Sequence, residues 1–387
     1  MQDEIKVTVS CGTKFHSDHV AYQLSKHNML DLVLTSHPAK YYLNRVPLKK
    51  EKVRFLPPVF LVVYGLRKVF GNSMGLTNWL NYRMPLLYDK LAARSIKKTD
   101  VLLTWAWSGL NTIRKVKETG GIAIVEECGS FSRFQNEILA EEYKALGLEF
   151  DSYTPQFIVD RQLLEAELAD YLLCPSKHVA ASFIKYGVPA AKCKVIPYGA
   201  NIHLFQPKEV EKEKFKILFV GTVGVRKGLI YLFRALEELH GKYDFECTII
   251  GGLENQFKPV FEKYSHLFTH IPHVPHTDLV NYYAQTSVFV FPSLDEGMAL
   301  VQLEALACGV PVICTPNSGG DSVVEEGREG FVVPVRDSES IAAKLKILLE
   351  DSTLVKLMSE NARAKALSFS WDTYGDRLSE FIKSIKN

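Results

Sequence analysis

Short strand-like apolar runs give way to longer segments of helical spacing along nearly the whole chain. That alternation predicts α/β units around parallel sheets rather than separate α and β blocks. A first series of strands is expected at residues 6–10, 30–35, 101–104, 122–126, 171–175 and 194–197. A second is expected at 216–220, 245–250, 270–273, 288–292, 311–315 and 330–334. Between them, residues 197–214 are rich in turn formers and charge and read as a linker. Two sheets joined there would leave a cleft, a common site for a ligand. From residue 340 onward the pattern is helical, and no internal repeat or low-complexity tract occurs.

The most informative segment is SLDEGMALVQLEALACGVPVICTPN, residues 293–317, which follows the apolar run VFVFPS. It reads as strand, loop, helix, turn, strand, one parallel crossover unit. Asp295, Glu296 and Gly297 fall where the strand hands over to the helix, the end at which open parallel sheets bind ligands. The unpaired N–H groups of a helix start suit an anion such as a diphosphate. Glu304 stands eight residues beyond Glu296, a little over two turns deeper and on nearly the same face. Its carboxylate could accept hydrogen bonds from the vicinal hydroxyls of a ribose. An arbitrary pair of glutamates at this spacing is ordinarily a solvated flank, but here the residues between and around them are almost wholly uncharged.

A length of 387 residues fits two domains, and mean hydropathy near zero fits a globular protein. The net charge of +2 is unevenly spread: residues 40–98 hold thirteen Lys or Arg against Glu51 and Asp89, a local +11 that leaves −9 for the rest. Such asymmetry suits an anionic partner surface. The same region contains FLPPVFLVVYGLRKVF, residues 55–70, too short and too interrupted by Pro57, Pro58 and Gly65 to span a bilayer. It reads either as a core element with basic flanks or as a segment lying on a membrane; no nucleic-acid module accompanies it. Seven scattered cysteines without a CxxC pair point to a reducing cytoplasm. The start, MQDEIKVTVSCG, lacks the cationic and apolar regions of a secretory signal. His270, His273 and His276 are separated by Pro272 and Pro275, so no metal site is expected there, and no two aspartates stand two apart.

Two further loops follow predicted strands. GTVGVRKG, residues 221–228, lets backbone approach a phosphate, although it lacks the spacing of a P-loop. SCGTKFHSDHV, residues 10–20, places Gly12 and His16 on the side of the cleft, while Gly129 and Ser130 follow the strand at 122–126. Taken alone, a Gly-rich turn with a lysine is more often structural than functional, and His16 is as readily an ordinary helix-start residue as a site residue.

Together they resemble the retaining glycosyltransferases of family 4, whose two-domain architecture is GT-B. EGMALVQLEALACGVPVI is similar to the family's E-x7-E element, and residues 174–207, 219–239 and 319–337 are similar to its interdomain crossing, phosphate loop and last strand. The likeness is dense in the C-terminal half and thin in the N-terminal half. It implies an N-terminal acceptor-binding Rossmann-like domain at 1–198, a nucleotide-sugar-binding domain at 199–368, and a final helix at 369–387 returning to the first domain. It implies transfer of a sugar from a nucleotide diphosphate sugar to a glycan or lipid-linked acceptor, as in polysaccharide biosynthesis, by front-face substitution without metal or cofactor. Lys227 would stabilise the departing diphosphate, with Arg226 as second cation because Thr222 stands where the family usually has Arg. Glu296 would hold the sugar and His16 would act at the cleft. Gly12, Gly221, Thr222, Gly297, Met298, Ala299, Leu300 and Glu304 would line the donor site, and Gly129 and Ser130 the acceptor side. Met298 and Ala299 depart from the family's usual Phe and Gly, and no histidine lies between His37 and His178, where some members carry one. A catalytically silent nucleotide-sugar-binding partner and a GT-B nucleotide-sugar 2-epimerase are the alternative readings. Expected partners are the nucleotide sugar, the acceptor and an anionic membrane, the protein lying in the cytoplasm or at the membrane's inner face.

Overall fold

The computed structural model describes residues 5–13, 15–70, 74–210 and 213–386, with positions 70, 74, 75 and 78 described by backbone only. The polar start at residues 1–4, Lys14 in the first loop and residues 211–212 of the expected linker lie outside the described residues.

The first sheet contains β1 (Val7–Cys11), β2 (Leu30–Thr35), β3 (Val53–Phe55), β4 (Val101–Trp105), β5 (Ile122–Glu126), β6 (Tyr171–Cys174) and β7 (Cys193–Val195). The second contains β8 (Phe215–Val220), β9 (Phe245–Ile250), β10 (Thr269–Ile271), β11 (Val288–Phe291), β12 (Val312–Cys314) and β13 (Gly330–Val332). Their orders are β3-β2-β1-β4-β5-β6-β7 and β10-β9-β8-β11-β12-β13, and the paired strands run parallel. This is the doubly wound GT-B architecture. The near-continuous apolar strands follow from helices covering both faces of each sheet; β11, for example, is Val288, Phe289, Val290 and Phe291, all buried.

The topology decides where ligands can bind. Strand order reverses between β1 and β4 in one sheet and between β8 and β11 in the other. The crevices beyond the carboxyl ends of those strands are the natural binding places of such sheets. They are formed by the loops carrying Gly12, Gly221–Lys227 and Ser293–Ala299.

The structure corrects three expectations. The helix after β11 begins only at Leu300 and ends at Ala307, so Glu296 lies in the preceding loop and shares no helical face with Glu304. Ala299 is extended rather than helical, and Gly297 and Ala299 are drawn instead to other loops. The expected linker is no solvated tether: Phe205 is fully buried against Tyr283 and His276, and the Arg363 guanidinium donates to the carbonyls of Ile202, Phe205 and Ala307. A buried aromatic overrides the turn-forming composition around it. Last, β3 was not expected, because a three-residue edge strand is too short to show a period.

Residues Pro57–Phe70 form a helix with apolar residues on more than one side. Val59 is buried, while Leu61, Tyr64 and Val69 are 61%, 60% and 74% exposed, so this helix is not a core element. No helix among the described residues is long and apolar enough to cross a membrane. The last helix, Trp371–Lys386, packs on the N-terminal domain: Asp372 accepts from Gln23 and Lys26, and Lys386 pairs with Asp100.

Candidate active site

At the second switch point, β8 ends at Val220 and the chain turns through Gly221 into a short 3-10 turn, Val225–Lys227. Gly228 then opens the helix Leu229–Leu239 with φ +64°, and a β-carbon there would fall 2.1 Å from the Pro292 carbonyl. Only glycine lets this turn sit against the end of β11. The turn is tied to the facing loop through Leu294 N–H and Ser293 Oγ, which both donate to the Arg226 carbonyl.

Arg226 and Lys227 converge on one acceptor, Oε1 of Glu296. Arg226 also donates to the Asp295 carbonyl at 2.9 Å. Lys227 is 9% exposed, with its ammonium 5.0 Å above the Phe291 ring. Burial lowers its pKa; Glu296 opposes that and Arg226 reinforces it. Glu254 stands beside both cations, yet burial still pushes its carboxyl upward. Two cations, largely removed from water and balanced by a carboxylate, form a site whose charge a diphosphate can take over. Thr222 is exposed and adds no charge.

Glu304 belongs to a second cluster. Its carboxylate is buried and accepts from His276 Nε2 at 2.7 Å and Tyr283 Oη at 3.3 Å. That hydrogen bond raises the pKa of His276, whose side chain is 61% exposed. Of the backbone donors expected at the helix start, Ala299 N–H is engaged by the Ser318 carbonyl, whereas those of Gly297 and Met298 make no hydrogen bond among the described residues.

In the N-terminal domain, Gly12 lies against Tyr88, where a β-carbon would fall 2.7 Å from the ring. His16 is held in an aromatic box: its ring centroid is 4.2 Å from that of Tyr198 and 5.6 Å from that of Trp371, contributed by the last helix. Its Nε2 is 3.4 Å from Glu126 Oε1, and neither atom has a hydrogen-bond partner among the described residues. Ser130 Oγ is likewise buried without one. Gly129 meets the C-terminal domain, its Cα being 3.2 Å from where a β-carbon on Gly297 would stand; that same carbon would fall 1.8 Å from the Cys128 carbonyl. Beside Gly12 opens a cavity of about 640 Å³, lined in part by Ser36, Lys40, Val63, Arg67 and Met84.

The structure thus joins Lys227, Arg226 and Glu296, and brings Gly129 against Gly297, while Glu304 belongs to its own cluster. Sequence reasoning missed Glu126, Tyr198 and Trp371 around His16, and His276 beside Glu304. It also missed Gln135 and His178, which both reach Asp295 across the domain boundary. No local signal could have paired them, since His178 and Asp295 are 117 residues apart.

Residues 202–365 match the family model described as glycosyl transferases group 1. D-inositol 3-phosphate glycosyltransferase 1 of Catenulispora acidiphila is 24% identical over 74% of this chain and 72% of its own length. The capsular polysaccharide biosynthesis glycosyltransferase CapM of Staphylococcus aureus is 31% identical over 44% of this chain, so the match spans about half of that relative, 47%. Among solved structures, sucrose-phosphate synthase of Thermosynechococcus elongatus aligns with TM-score 0.72 at 17% identity, covering 98% of this chain and 99% of that one. HepE of Anabaena, solved with UDP, aligns with TM-score 0.69 at 16% identity, covering 98% and 100%. The fold is theirs, GT-B, and residues 202–365 are similar to the glycosyl transferases group 1.

Proposed function

We propose that this protein is a retaining glycosyltransferase moving a sugar from a nucleotide diphosphate sugar to a glycan or lipid-linked acceptor. The observation that carries the reading is the convergence of Arg226 and Lys227 on Glu296 at the C-terminal switch point. When the donor binds, its diphosphate takes over the two cations and Glu296 turns to the hydroxyls of the sugar. Glu304 exchanges His276 for the ribose. The bond from the anomeric carbon to the diphosphate oxygen then breaks, and that oxygen leaves with the electron pair. The acceptor oxygen bonds to the same face of the anomeric carbon, and its proton passes to the leaving phosphate. Lys227 and Arg226 stabilise the charge that grows there, so the reaction proceeds without metal and survives EDTA.

The acceptor enters from the N-terminal domain, past Gly129, Ser130 and His16, with the cavity beside Gly12 as its seat. Lys40 and Arg67 supply positive charge to that cavity, and Leu61 and Tyr64 extend its helix as an exposed apolar surface. This supports weak, salt-sensitive attachment to anionic membrane, since each basic residue near such a surface contributes about 1 kcal/mol. The inner, cytoplasmic face is the side consistent with the free cysteines.

The test is incubation with a panel of nucleotide sugars, UDP-glucose first because HepE was solved with it. The expected outcome is release of nucleotide diphosphate and a product that keeps the donor's anomeric configuration. Binding of a donor without any release would make the chain a silent partner; an inverted product, or EDTA inhibition reversed by Mg²⁺, would overturn the mechanism. Failure to sediment with anionic vesicles at low salt would remove the membrane.

A further inference from the structure

We propose that Asp295 is a clasp through which the N-terminal domain sets the position of Glu296. Asp295 belongs to the C-terminal domain, and its carboxylate is fully buried. Both of its side-chain partners come from the other domain: Gln135 Nε2 at 2.6 Å, from the helix Ser132–Ala145, and His178 Nε2 at 2.8 Å, from the helix Lys177–Lys185. A buried carboxylate needs such donors, because leaving it unpaired away from water is costly.

The neighbouring residues are held from the same side. Ser176, which caps the helix Lys177–Lys185 by accepting Val179 N–H, also donates its hydroxyl to the Gly297 carbonyl at 2.6 Å. Tyr198 N–H points to Met298 Sδ at 3.3 Å. Gly297 lies so close to the Cys128 carbonyl that no side chain fits between them. On the other flank, Glu296 N–H donates to the Asn317 carbonyl and Arg226 to the Asp295 carbonyl. Glu296 is therefore gripped on both sides, by N-terminal-domain side chains through Asp295 and Gly297, and by its own domain through Arg226 and Asn317. His178 is itself braced, its side chain 8% exposed and its ring edge-on to Phe134 at 5.3 Å.

The consequence is a coupling. Parting the domains would release Asp295 to water and with it the loop that aims Glu296 at Arg226 and Lys227, so domain closure and assembly of the cation site become one event. Asp295, His178 and Gln135 are positioning residues here, with no contact to substrate required.

Hydrogen exchange of the ligand-free protein tests this without any assay of activity. The reporters are the amides of Leu294, Glu296 and Ala299, all hydrogen-bonded; the controls are amides inside the helix Leu229–Leu239. Losing a charge-assisted hydrogen bond predicts about ten- to a hundredfold faster exchange at the reporters in His178→Ala and Asp295→Ala, with controls unchanged. His178→Gln, which keeps a donor, should restore much of the protection. Gln135→Ala is the milder second variant if His178→Ala folds poorly, and should accelerate the same amides. Reporter exchange at the wild-type rate in both Asp295→Ala and Gln135→Ala overturns the clasp, as does acceleration of reporters and controls alike. Should the protein turn over nucleotide sugars, kcat should fall in His178→Ala and recover in His178→Gln; absence of turnover would sink the proposed activity and leave the exchange result standing.

Discussion

Glu296 and Glu304 stand eight residues apart in one apolar segment, yet they do opposite things. Glu296 lies in a loop and collects two cations from the turn after β8, with side chains of the other domain fixing its neighbours. Glu304 lies on a helix, and among the described residues its carboxylate accepts hydrogen bonds from His276 and Tyr283 of its own domain. The loop carboxylate is placed by tertiary contacts and, under the proposed function, sits where charge changes during reaction. The helical one is placed by local geometry and suits a part of the ligand that does not react. The two should therefore fail differently when altered.

The largest expected effect is at the cations that Glu296 gathers. Lys227→Ala should reduce turnover by about 10² to 10³, the usual loss for a group that stabilises charge in the transition state. Thermal unfolding should change little by comparison. Near wild-type turnover would place the reacting phosphate elsewhere and remove the contrast between the two clusters.

The second cluster should respond in binding rather than in rate. Glu304→Ala removes hydrogen bonds made equally in ground and transition states, so the donor KM should rise by about ten- to a hundredfold with kcat nearly kept. A fall in kcat alone would put Glu304 at the reaction centre and erase the difference from Glu296.

How much of this was legible in the sequence follows the same division. The strands of both sheets except β3 could be read because parallel strands buried on both faces are short apolar runs bounded by turn residues, as β11 is. Their order could not be read from periodicity, yet it is the order that makes the loops at Gly12, Gly221 and Ser293 into switch points. The residues Arg226, Lys227, Glu296 and Glu304 were visible as charges in otherwise apolar segments. The helix boundary was not: Gly297 yields to the Cys128 carbonyl, from the other domain, and Ala299 N–H to Ser318, in the loop after the next strand. Asp295 was in plain view beside Glu296, but its partners Gln135 and His178 lie on two separate helices of the other domain.

A smaller effect should distinguish the charge of Glu296 from its mere presence. Burial already lowers the pKa of Lys227, with Glu296 pulling it upward and Arg226 downward. Glu296→Gln removes the upward pull, so Lys227 should lose its proton at lower pH. An adjacent opposite charge is worth about 1 to 3 pH units. The alkaline limb of kcat/KM should move down by an amount of that order, while Glu304→Gln leaves it in place. An unmoved limb in Glu296→Gln would mean that Lys227 takes its charge balance from Glu254 instead.

The smallest effect belongs to His276, whose pKa is raised by its hydrogen bond to Glu304. Because the folded value lies above the unfolded one, the pair contributes stability fully below about pH 6.5, the ordinary histidine value, and loses it as pH rises through the raised value. The side chain is 61% exposed, and pairs of that kind are worth about 0 to 1 kcal/mol. For a chain of this size that limits the change in Tm to about 1 °C. His276→Ala should therefore melt slightly below the parent at pH 5.5 and together with it at pH 9. The same proton sets up a competition, since a charged His276 holds Glu304 away from a ribose more firmly than a neutral one. Donor KM should then rise as pH falls in the parent and flatten in His276→Ala, with kcat unaffected by that substitution at either pH. A KM that climbs in acid just as steeply without His276 would show that Glu304 is reached by the donor without displacing it, and that the helical cluster is a scaffold rather than part of the binding site.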